Sequence, residues 1–216
     1  MKRSLLVNST CALLLALGSA RPSKADHLTG GAVGLGSPTG VITFDELGNL
    51  QDQVITNQFA SFGATFQNFG WDNGSFGQLG STGFSGGDLV NGFAPFPTAE
   101  PMAISFITPV TAAAFAAVDQ RGTFTLNAYL GGTSGTLIDS FNITIPSIPG
   151  AGFIGFANEE FDTIQITPVG QSAISIDTLQ LEAVPEPTSI VLAGTMAAVI
   201  GIICRQRLTT RRPKSV

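Results

Sequence analysis

The sequence predicts an all-β domain between residues 41 and 183, an antiparallel β-sandwich of eight or nine strands. Apolar residues alternate with polar or small ones along many short segments, as in strands that bury one face. Proline and glycine separate these segments, and none of them has a sustained helical period. About 140 residues of this pattern favour a jelly-roll-like sandwich over a seven-strand immunoglobulin domain.

The alternation places the predicted strands at 41–44, 63–68, 101–107, 111–118, 123–130, 136–145, 152–157, 161–167 and 173–182. Residues 53–62 come nearest to a helical pattern and have room for one or two turns. In the last strand, the apolar positions change from even (Ile174) to odd (Leu179) at Asp177-Thr178. Such a change of phase indicates a β-bulge, which turns a side chain in a new direction.

Residues 1–25 have the composition of a secretory signal peptide. Lys2 and Arg3 precede an apolar stretch, and Ser23 and Ala25 are small residues at the −3 and −1 positions of a cleavage site. We therefore expect export by the Sec machinery, with an uncleaved N-terminal anchor as the alternative. Residues 26–40 contain five glycines and are predicted to form a flexible leader.

Charge is divided sharply along the chain. Nine of the ten Lys and Arg residues lie in the two terminal segments. Between Asp26 and Val184 the only basic residue is Arg121, against fourteen Asp and Glu, so the domain carries a net charge of −13. Nucleic-acid affinity comes largely from Lys and Arg that neutralise phosphates. We expect no nucleic-acid partner.

Cysteine and histidine usage excludes several kinds of chemistry. Cys11 and Cys204 both lie in the hydrophobic terminal segments, so the domain has no disulfide, thiol nucleophile or Cys-ligated zinc. The single histidine, His27, lies in the predicted leader. A Ser-His-Asp triad needs a histidine held firmly beside its nucleophile, so histidine-dependent hydrolysis is not expected.

The carboxylates leave one enzymatic alternative open. Glycoside hydrolysis requires two carboxyl groups about 5–10 Å apart on either side of one bond. The adjacent pairs Asp45/Glu46 and Glu159/Glu160 do not meet this need, because neighbours on a strand point to opposite faces. Carboxyls from separate strands would be required, so we assign no catalytic residue and interpret the acids as solvated surface groups.

A structural Ca²⁺ site is a second possibility for the acids. Ca²⁺ takes six to eight oxygen ligands from carboxylates, carbonyls and water. If the first and last strands are neighbours, Asp45 or Glu46 and the re-aimed Asp177 would share one cation. The alternative is an edge bulge that needs no metal.

Residues 70–92 contain eight glycines interleaved with aromatic and acidic residues. Two interpretations fit. Trp71, Asp72 and Asp88 would bind a glycan by stacking and hydrogen bonding on an exposed connection. Alternatively, Trp71 and the nearby phenylalanines fold back into the core. We favour the second, because sixteen phenylalanines against one Trp and one Tyr indicate core filling.

The C-terminal segment, 184–216, has three ordered parts. Pro185-Glu186-Pro187 is followed by the apolar run 188–204 and then by a basic tail, 205–216, that begins with Arg205 and Arg207. Seventeen helical residues extend about 25 Å, just short of a hydrocarbon core of about 30 Å. We predict a marginal transmembrane helix over 188–204 that leaves the basic tail cytoplasmic and the acidic domain outside.

This arrangement closely resembles the PEP-CTERM sorting signal. The resemblance implies recognition of Pro185, Glu186 and Pro187 by an exosortase, a membrane protease-transpeptidase of certain Gram-negative bacteria. It also implies transient residence in the inner membrane, then the cell surface or extracellular space, where family members are linked to exopolysaccharide and biofilm matrix. The alternative is a plain C-terminal anchor that is not cleaved.

The domain is similar, more loosely, to the β-sandwich domains of other PEP-CTERM proteins. The similar segments are 42–47, 55–66 and 174–179. Those domains resemble jelly-roll carbohydrate-binding modules, some of which bind structural calcium between their first and last strands. The resemblance implies a non-enzymatic protein with an adhesive or polysaccharide-associated role. The alternatives are a secreted carboxylate-dependent glycan hydrolase and a purely structural surface protein.

Overall fold

The computed structural model describes residues 25–73, 82–92, 100–119, 122–145, 152–170 and 172–184. The chain divides into two units, Met1–Ala183 and Val184–Val216, and the fold described here belongs to the first. The sorting signal (Pro185, Glu186, Pro187, Arg205 and Arg207), the predicted helix 188–204 and residues 1–24 lie outside the described ranges. Within those ranges, no helix combines the length and apolarity needed to cross a membrane.

The predicted all-β, antiparallel class is confirmed. The described residues form eleven strands, and every pairing between them is antiparallel. A single 3₁₀ turn, Ala60–Phe62, occupies part of the segment predicted to be helical. The strands are β1 (Asp26–Gly31), β2 (Gly40–Ile42), β3 (Val54–Ile55), β4 (Ala64–Gln67), β5 (Phe69–Asp72), β6 (Asp88–Asn91), β7 (Met102–Asp119), β8 (Thr123–Leu130), β9 (Thr136–Thr144), β10 (Gly152–Val169) and β11 (Ile174–Ala183).

The strand count differs from the prediction in two ways. The predicted pairs 101–107/111–118 and 152–157/161–167 are each one continuous strand, β7 and β10. The register between β7 and β10 shifts between Ala157 and Phe161. Such bulges let a strand bend without ending, so each predicted pair forms one strand. Four further strands, β1, β3, β5 and β6, were not predicted. Three of these include or border glycines, which weaken the alternating signal.

Pairing joins all eleven strands into one sheet, and β7 and β10 are shared by its two halves, which we call layers. The first half of β7 pairs with β4 and with the second half of β10, which continues to β8 and β9. The second half of β7 pairs with the first half of β10, which carries β1, and with β11. From β11 the same layer continues through β6, β5 and β3, and β2 also pairs with β11.

The main core lies between these layers. Phe115 and Phe156 from one layer and Phe124 and Ile164 from the other are fully buried in the same cluster. A second apolar cluster lies on the opposite face of β7, where Ala112, Ala114, Ala116 and Val118 alternate with the inward residues. Leu35 and Phe84 complete that second cluster. The second half of β7 is therefore buried on both faces.

The prediction of a flexible leader over 26–40 is wrong for its first part. Residues 26–31 form β1, which pairs with β10 and places His27 opposite Phe156. The His27 Nε2 atom lies 3.0 Å from Asp139 Oδ2, and its ring stacks on Phe141 at 4.2 Å. Backbone pairing holds this segment in place, and the glycines at its end do not prevent such pairing. His27 thereby links β1 to β9.

Candidate functional site

Asp45 and Asp177 meet at one segment, residues 83–87, which we call the strap. The predicted bulge in the last strand is present, since the register with β7 shifts between Asp177 and Gln180 and Thr178 has a φ of 46°. The bulge directs the fully buried Asp177 side chain to the strap.

Three hydrogen bonds hold the strap, and a fourth lies within the bulge. The Ser85 N–H donates to Asp177 Oδ2 at 2.6 Å, and the Gly87 N–H donates to Asp45 Oδ1 at 2.7 Å. The Thr178 hydroxyl donates to the Gly83 carbonyl at 2.6 Å, while the Thr178 N–H donates to the other Asp177 oxygen at 2.5 Å. Both carboxyl groups therefore bind backbone amides.

The glycines of the strap allow its backbone to lie against these groups. A Cβ atom on Gly86 would lie 2.1 Å from Asp45 Oδ1, and one on Gly87 would lie 2.4 Å from the Trp71 ring. Such distances are far below van der Waals contact. The close approach of backbone to carboxylate and indole thus explains why glycine occupies both positions.

The structure brings two of the predicted calcium ligands, Asp45 and Asp177, to the strap and leaves the third, Glu46, on the surface. Glu46 is exposed, and its Oε1 atom accepts hydrogen bonds from the Thr43 N–H (2.6 Å) and hydroxyl (3.1 Å) instead. Both oxygens of Asp177 and one of Asp45 accept strap or bulge amides. Across the described ranges, no group of three or more His, Cys, Asp or Glu residues is arranged to hold a metal.

The protonation of Asp177 is unusual. Burial raises the pKa of its carboxyl to about 8, and the nearby carboxylates of Asp88 and Asp45 add to the rise, against the opposing hydrogen bonds from Ser85 and Thr178. A carboxyl group with this pKa is mainly protonated at pH 7. The described ranges contain no lysine or arginine that would reverse the effect.

The predicted glycan contacts lie mostly inside the molecule. Trp71 is 4% exposed and donates its indole N–H to the Phe44 carbonyl at 3.2 Å. Phe84 and Asp88 are also buried. Asp72 is half-buried and accepts the N–H of Asn73. The aromatics fill the core, so the sugar-stacking interpretation of Trp71 and Asp88 does not agree with the structure.

A different surface collects neutral hydrogen-bonding groups, and we call it the polar face. It consists of the side chains that alternate with core residues along β8, β9 and the second half of β10. Ten of them are polar and uncharged, Thr163 among them is buried, and the exposed apolar side chains of Leu137 and Val169 lie on the same face. The ten polar members are Thr123, Thr125, Asn127, Tyr129, Ser140, Asn142, Thr144, Thr163, Gln165 and Thr167. Sequence reasoning missed this face, because it searched for charged and aromatic groups.

Hydrogen bonds link these side chains across strands. Ser140 donates its hydroxyl to Asn127 Oδ1 at 2.6 Å, and Asn127 Nδ2 donates to Gln165 Oε1 at 3.4 Å. The Tyr129 hydroxyl donates to the same Gln165 oxygen at 3.4 Å. Ser105 of β7 extends the network, since its hydroxyl lies 3.3 Å from that of Thr163. With β4 and β7 included, this part of the sheet is five strands wide. It measures about 19 Å across, because neighbouring strands lie about 4.8 Å apart.

A single carboxylate lies at the rim of this face and is fully engaged. Asp162 accepts the N–H groups of Gly131 (2.7 Å) and Gly132 (2.9 Å) and the Thr163 hydroxyl (3.0 Å). Burial acts to raise the pKa of Asp162, but the hydrogen bonds from Gly132, Gly131 and Thr163 outweigh it and lower the pKa below its ordinary value. The negative charge at the rim holds the turn between β8 and β9.

Comparison with known proteins gives only distant structural similarity. The sequence matches no protein-family model and no curated protein. Among solved structures, the chain is similar to CsCBM6-3 from Clostridium stercorarium in complex with cellobiose, with 12% identity and a TM-score of 0.36. That alignment covers 56% of this chain and 86% of the other.

Two further solved structures show similarity of the same degree. TmCBM61 in complex with β-1,4-galactotriose has 10% identity and a TM-score of 0.39, over 58% of this chain and 94% of that one. The enzymatically active domain of bacteriophage CBA120 tailspike protein 4 has 14% identity and a TM-score of 0.33, over 66% of this chain and 20% of the tailspike. Similarity at this level carries no information on function.

Proposed function

We propose that this chain is an exported, non-enzymatic protein of the cell surface or extracellular matrix that binds neutral polysaccharide. Its jelly-roll-like β-sandwich domain would bind through the polar face. The observation that carries the proposal is the set of nine at least partly exposed, uncharged hydroxyl, amide and phenol side chains on one sheet surface, which the buried Thr163 joins from below. Such groups both donate and accept hydrogen bonds, as the hydroxyls of a sugar chain do.

Charge favours neutral over acidic polysaccharides as the ligand. The domain from Asp26 to Val184 has a net charge of −13, and the polar face offers no cation to attract a uronate or sulfate group. The negative charge of the domain repels acidic glycans but not neutral ones. Each net hydrogen bond contributes only about 0.5–1.5 kcal/mol, so binding is expected to be weak per sugar and to depend on several sugars at once.

The carboxyl cluster beside the strap supports a non-enzymatic role. Asp45, Asp88 and Asp177 lie close enough to influence one another electrostatically, but Asp88 and Asp177 are fully buried. The strap occupies the space beside Asp45 and Asp177. A glycosidase needs room for a sugar between its two carboxyls, and the strap leaves none at this cluster.

Delivery to the surface is proposed from the two ends of the sequence. The signal-peptide pattern of 1–25 would direct Sec export, and 184–216 would act as a sorting signal for an exosortase-type protease, with transient residence in the inner membrane. The order of the Pro-Glu-Pro box, the apolar run and the basic tail supports this route.

Removing two amides from the polar face is expected to weaken polysaccharide binding about fivefold or more. The Asn127→Ala/Gln165→Ala double variant loses at least two hydrogen-bonding side chains worth about 0.5–1.5 kcal/mol each. Affinity electrophoresis in gels that contain hydroxyethylcellulose, galactomannan or alginate measures the effect. We expect the wild-type protein to be retarded by a neutral polymer and not by alginate.

A matched control removes the same two residue types elsewhere. Gln53→Ala/Asn57→Ala deletes one exposed glutamine and one exposed asparagine outside the polar face and should leave retardation unchanged. Equal weakening by both double variants, or migration of the wild type unaffected by every neutral polymer, would contradict the proposal.

The sorting step predicts a defined change of mass. When the full chain is expressed in a host with an exosortase, the intact mass of the product should correspond to loss of the segment from about residue 188 onward, as the sorting mechanism requires removal of the membrane span. Without the exosortase, or with Glu186→Ala, that segment should remain. An unchanged C-terminus in both hosts would identify 184–216 as a plain membrane anchor.

A further inference from the structure

One line of side chains crosses all the strands that carry the polar face and continues beyond it. From β9 to β4, the residues that lie opposite one another are Ser140, Asn127, Gln165, Ala103 and Gln67. We call these five residues the cross-strand row. Ser140 and Gln67 at its ends are exposed, and Ala103 alone has no polar side chain. Because neighbouring strands lie about 4.8 Å apart, the row is about 19 Å long.

Hydrogen bonds hold the middle of the cross-strand row in place. Ser140 donates to Asn127, and Asn127 donates to Gln165, which also accepts the Tyr129 hydroxyl. These bonds restrict the rotamers of both amides, and a side chain that is already ordered loses less entropy when a ligand binds. Each amide nitrogen carries two hydrogens, and these bonds use one of the four. Asn127 and Gln165 are therefore fixed in place and still able to donate to a ligand.

The two directions on this surface end differently. Among the strands of the described ranges, β9 pairs only with β8 and β4 only with β7, so no further strand closes either end of the cross-strand row. Along the strands, the Asp162 carboxylate and the turn it holds lie at one end, and the exposed Val169 lies at the other. A long neutral chain thus leaves the surface over polar, uncharged groups only if it runs across the strands.

We propose that an extended, neutral β-1,4-linked glycan lies along the cross-strand row, perpendicular to the strands, with about one sugar over each strand. This inference rests on the proposed function, because it assigns a chain class and a direction to the ligand of the polar face. The equatorial linkages of a β-1,4-glucan or β-1,4-mannan extend the chain, so successive rings advance by a distance close to the strand spacing of about 4.8 Å. Gln67, which is not part of the polar face, then becomes a residue that contacts the glycan.

The regular spacing of the row favours an extended chain over a coiled or flexible one. Four of its five positions carry a polar side chain, so each added sugar of a straight chain meets a new hydrogen-bonding group or passes over Ala103. An α-1,6-linked chain has an additional rotatable bond in every linkage and loses more conformational freedom when it is held straight. Since neither end of the row is closed by another described strand, the interior of a long polymer is the expected ligand.

Two substitutions at similar distances from Asn127 test the direction of the chain. Gln67 lies three strands away, about 14 Å, and Thr123 lies four residues away along β8, about 13 Å. In gels that contain hydroxyethylcellulose or galactomannan, Gln67→Ala should weaken retardation of the exported protein about two- to tenfold, the range expected for one hydrogen-bonding side chain. Thr123→Val keeps the shape of its side chain and should cause a smaller loss than Gln67→Ala.

One control variant and one control polymer accompany this comparison. Gln53→Ala removes another exposed glutamine, outside the row and the polar face, and should leave retardation unchanged. Dextran is neutral but α-1,6-linked, and it should retard the wild-type protein less than either β-1,4-linked polymer. Urea denaturation followed by Trp71 fluorescence should show Gln67→Ala to be as stable as the wild type, because Gln67 is exposed and surface substitutions change stability little.

Failure of this inference is distinguishable from failure of the proposed function. The inference alone is overturned if a neutral polymer retards the wild type but Thr123→Val weakens retardation as much as Gln67→Ala or more, since the chain would then not follow the row. Retardation of Gln67→Ala equal to that of Gln53→Ala, or equal retardation of the wild type by dextran, also overturns it. A wild-type protein that no neutral polymer retards contradicts the proposed function itself, and the inference with it.

Discussion

Replacing Gly155 with alanine is expected to lower the free energy of unfolding by at least about 3 kcal/mol, at or beyond the upper end of ordinary overpacking. Gly155 lies in β10, opposite Ala114 of β7 on one side and Leu28 of β1 on the other. An added Cβ would lie 2.0 Å from the Ala113 carbonyl oxygen and 2.9 Å from the Ala114 Cα atom. These are backbone atoms of a central strand, so relief of the clash requires the two strands to separate.

Urea denaturation followed by Trp71 fluorescence measures this loss. The matched control is Gly31→Ala in β1, where an added Cβ meets nothing within 4 Å and no positive φ opposes it. That variant should change the free energy of unfolding by no more than about 0.5 kcal/mol, as at most surface positions. A Gly155→Ala protein as stable as the control would show that β7 and β10 do not approach so closely.

The fold class was predictable because alternation is a local signal. The prediction of 123–130 has the same bounds as β8, since Phe124, Leu126 and Ala128 alternate without interruption. By contrast, β6 and all but the first residue of β5 lie in the glycine-rich region 70–92, where the local signal favours a connection. They become strands because Trp71 and Leu89 enter the common core, which only the tertiary structure reveals.

The candidate site was predictable only in part for a related reason. The change of apolar phase at Asp177 correctly indicated a bulge. What the carboxyl binds was not predictable, because backbone amides at Ser85 and Gly87 leave no mark in the sequence. The polar face was missed because Asn127 and Gln165 are unremarkable individually and become neighbours only through the register of β8 and β10.

Replacing Phe156 with alanine is expected to cost about 3–5 kcal/mol, the usual loss for a phenylalanine removed from a core. Phe156 is fully buried and lies edge-to-face against Phe141 at 5.1 Å and Phe161 at 5.9 Å. It also contacts the His27 ring at 5.9 Å. Its side chain therefore supports both the core and the link between β1 and β9. Aromatic pairs add stability beyond that of the apolar area they bury.

The same denaturation experiment separates this loss from a general effect of removing an aromatic ring. Phe62→Ala is the matched control, because Phe62 is 40% exposed and has a ring contact with Phe59 at 6.2 Å. Its loss should be about 1 kcal/mol or less. Since a domain of this kind has only about 5–15 kcal/mol in total, Phe156→Ala should also raise exchange at the β1 amides. If the two variants lose equal free energy of unfolding, Phe156 at the junction of β1, β9 and β10 is not central to the core.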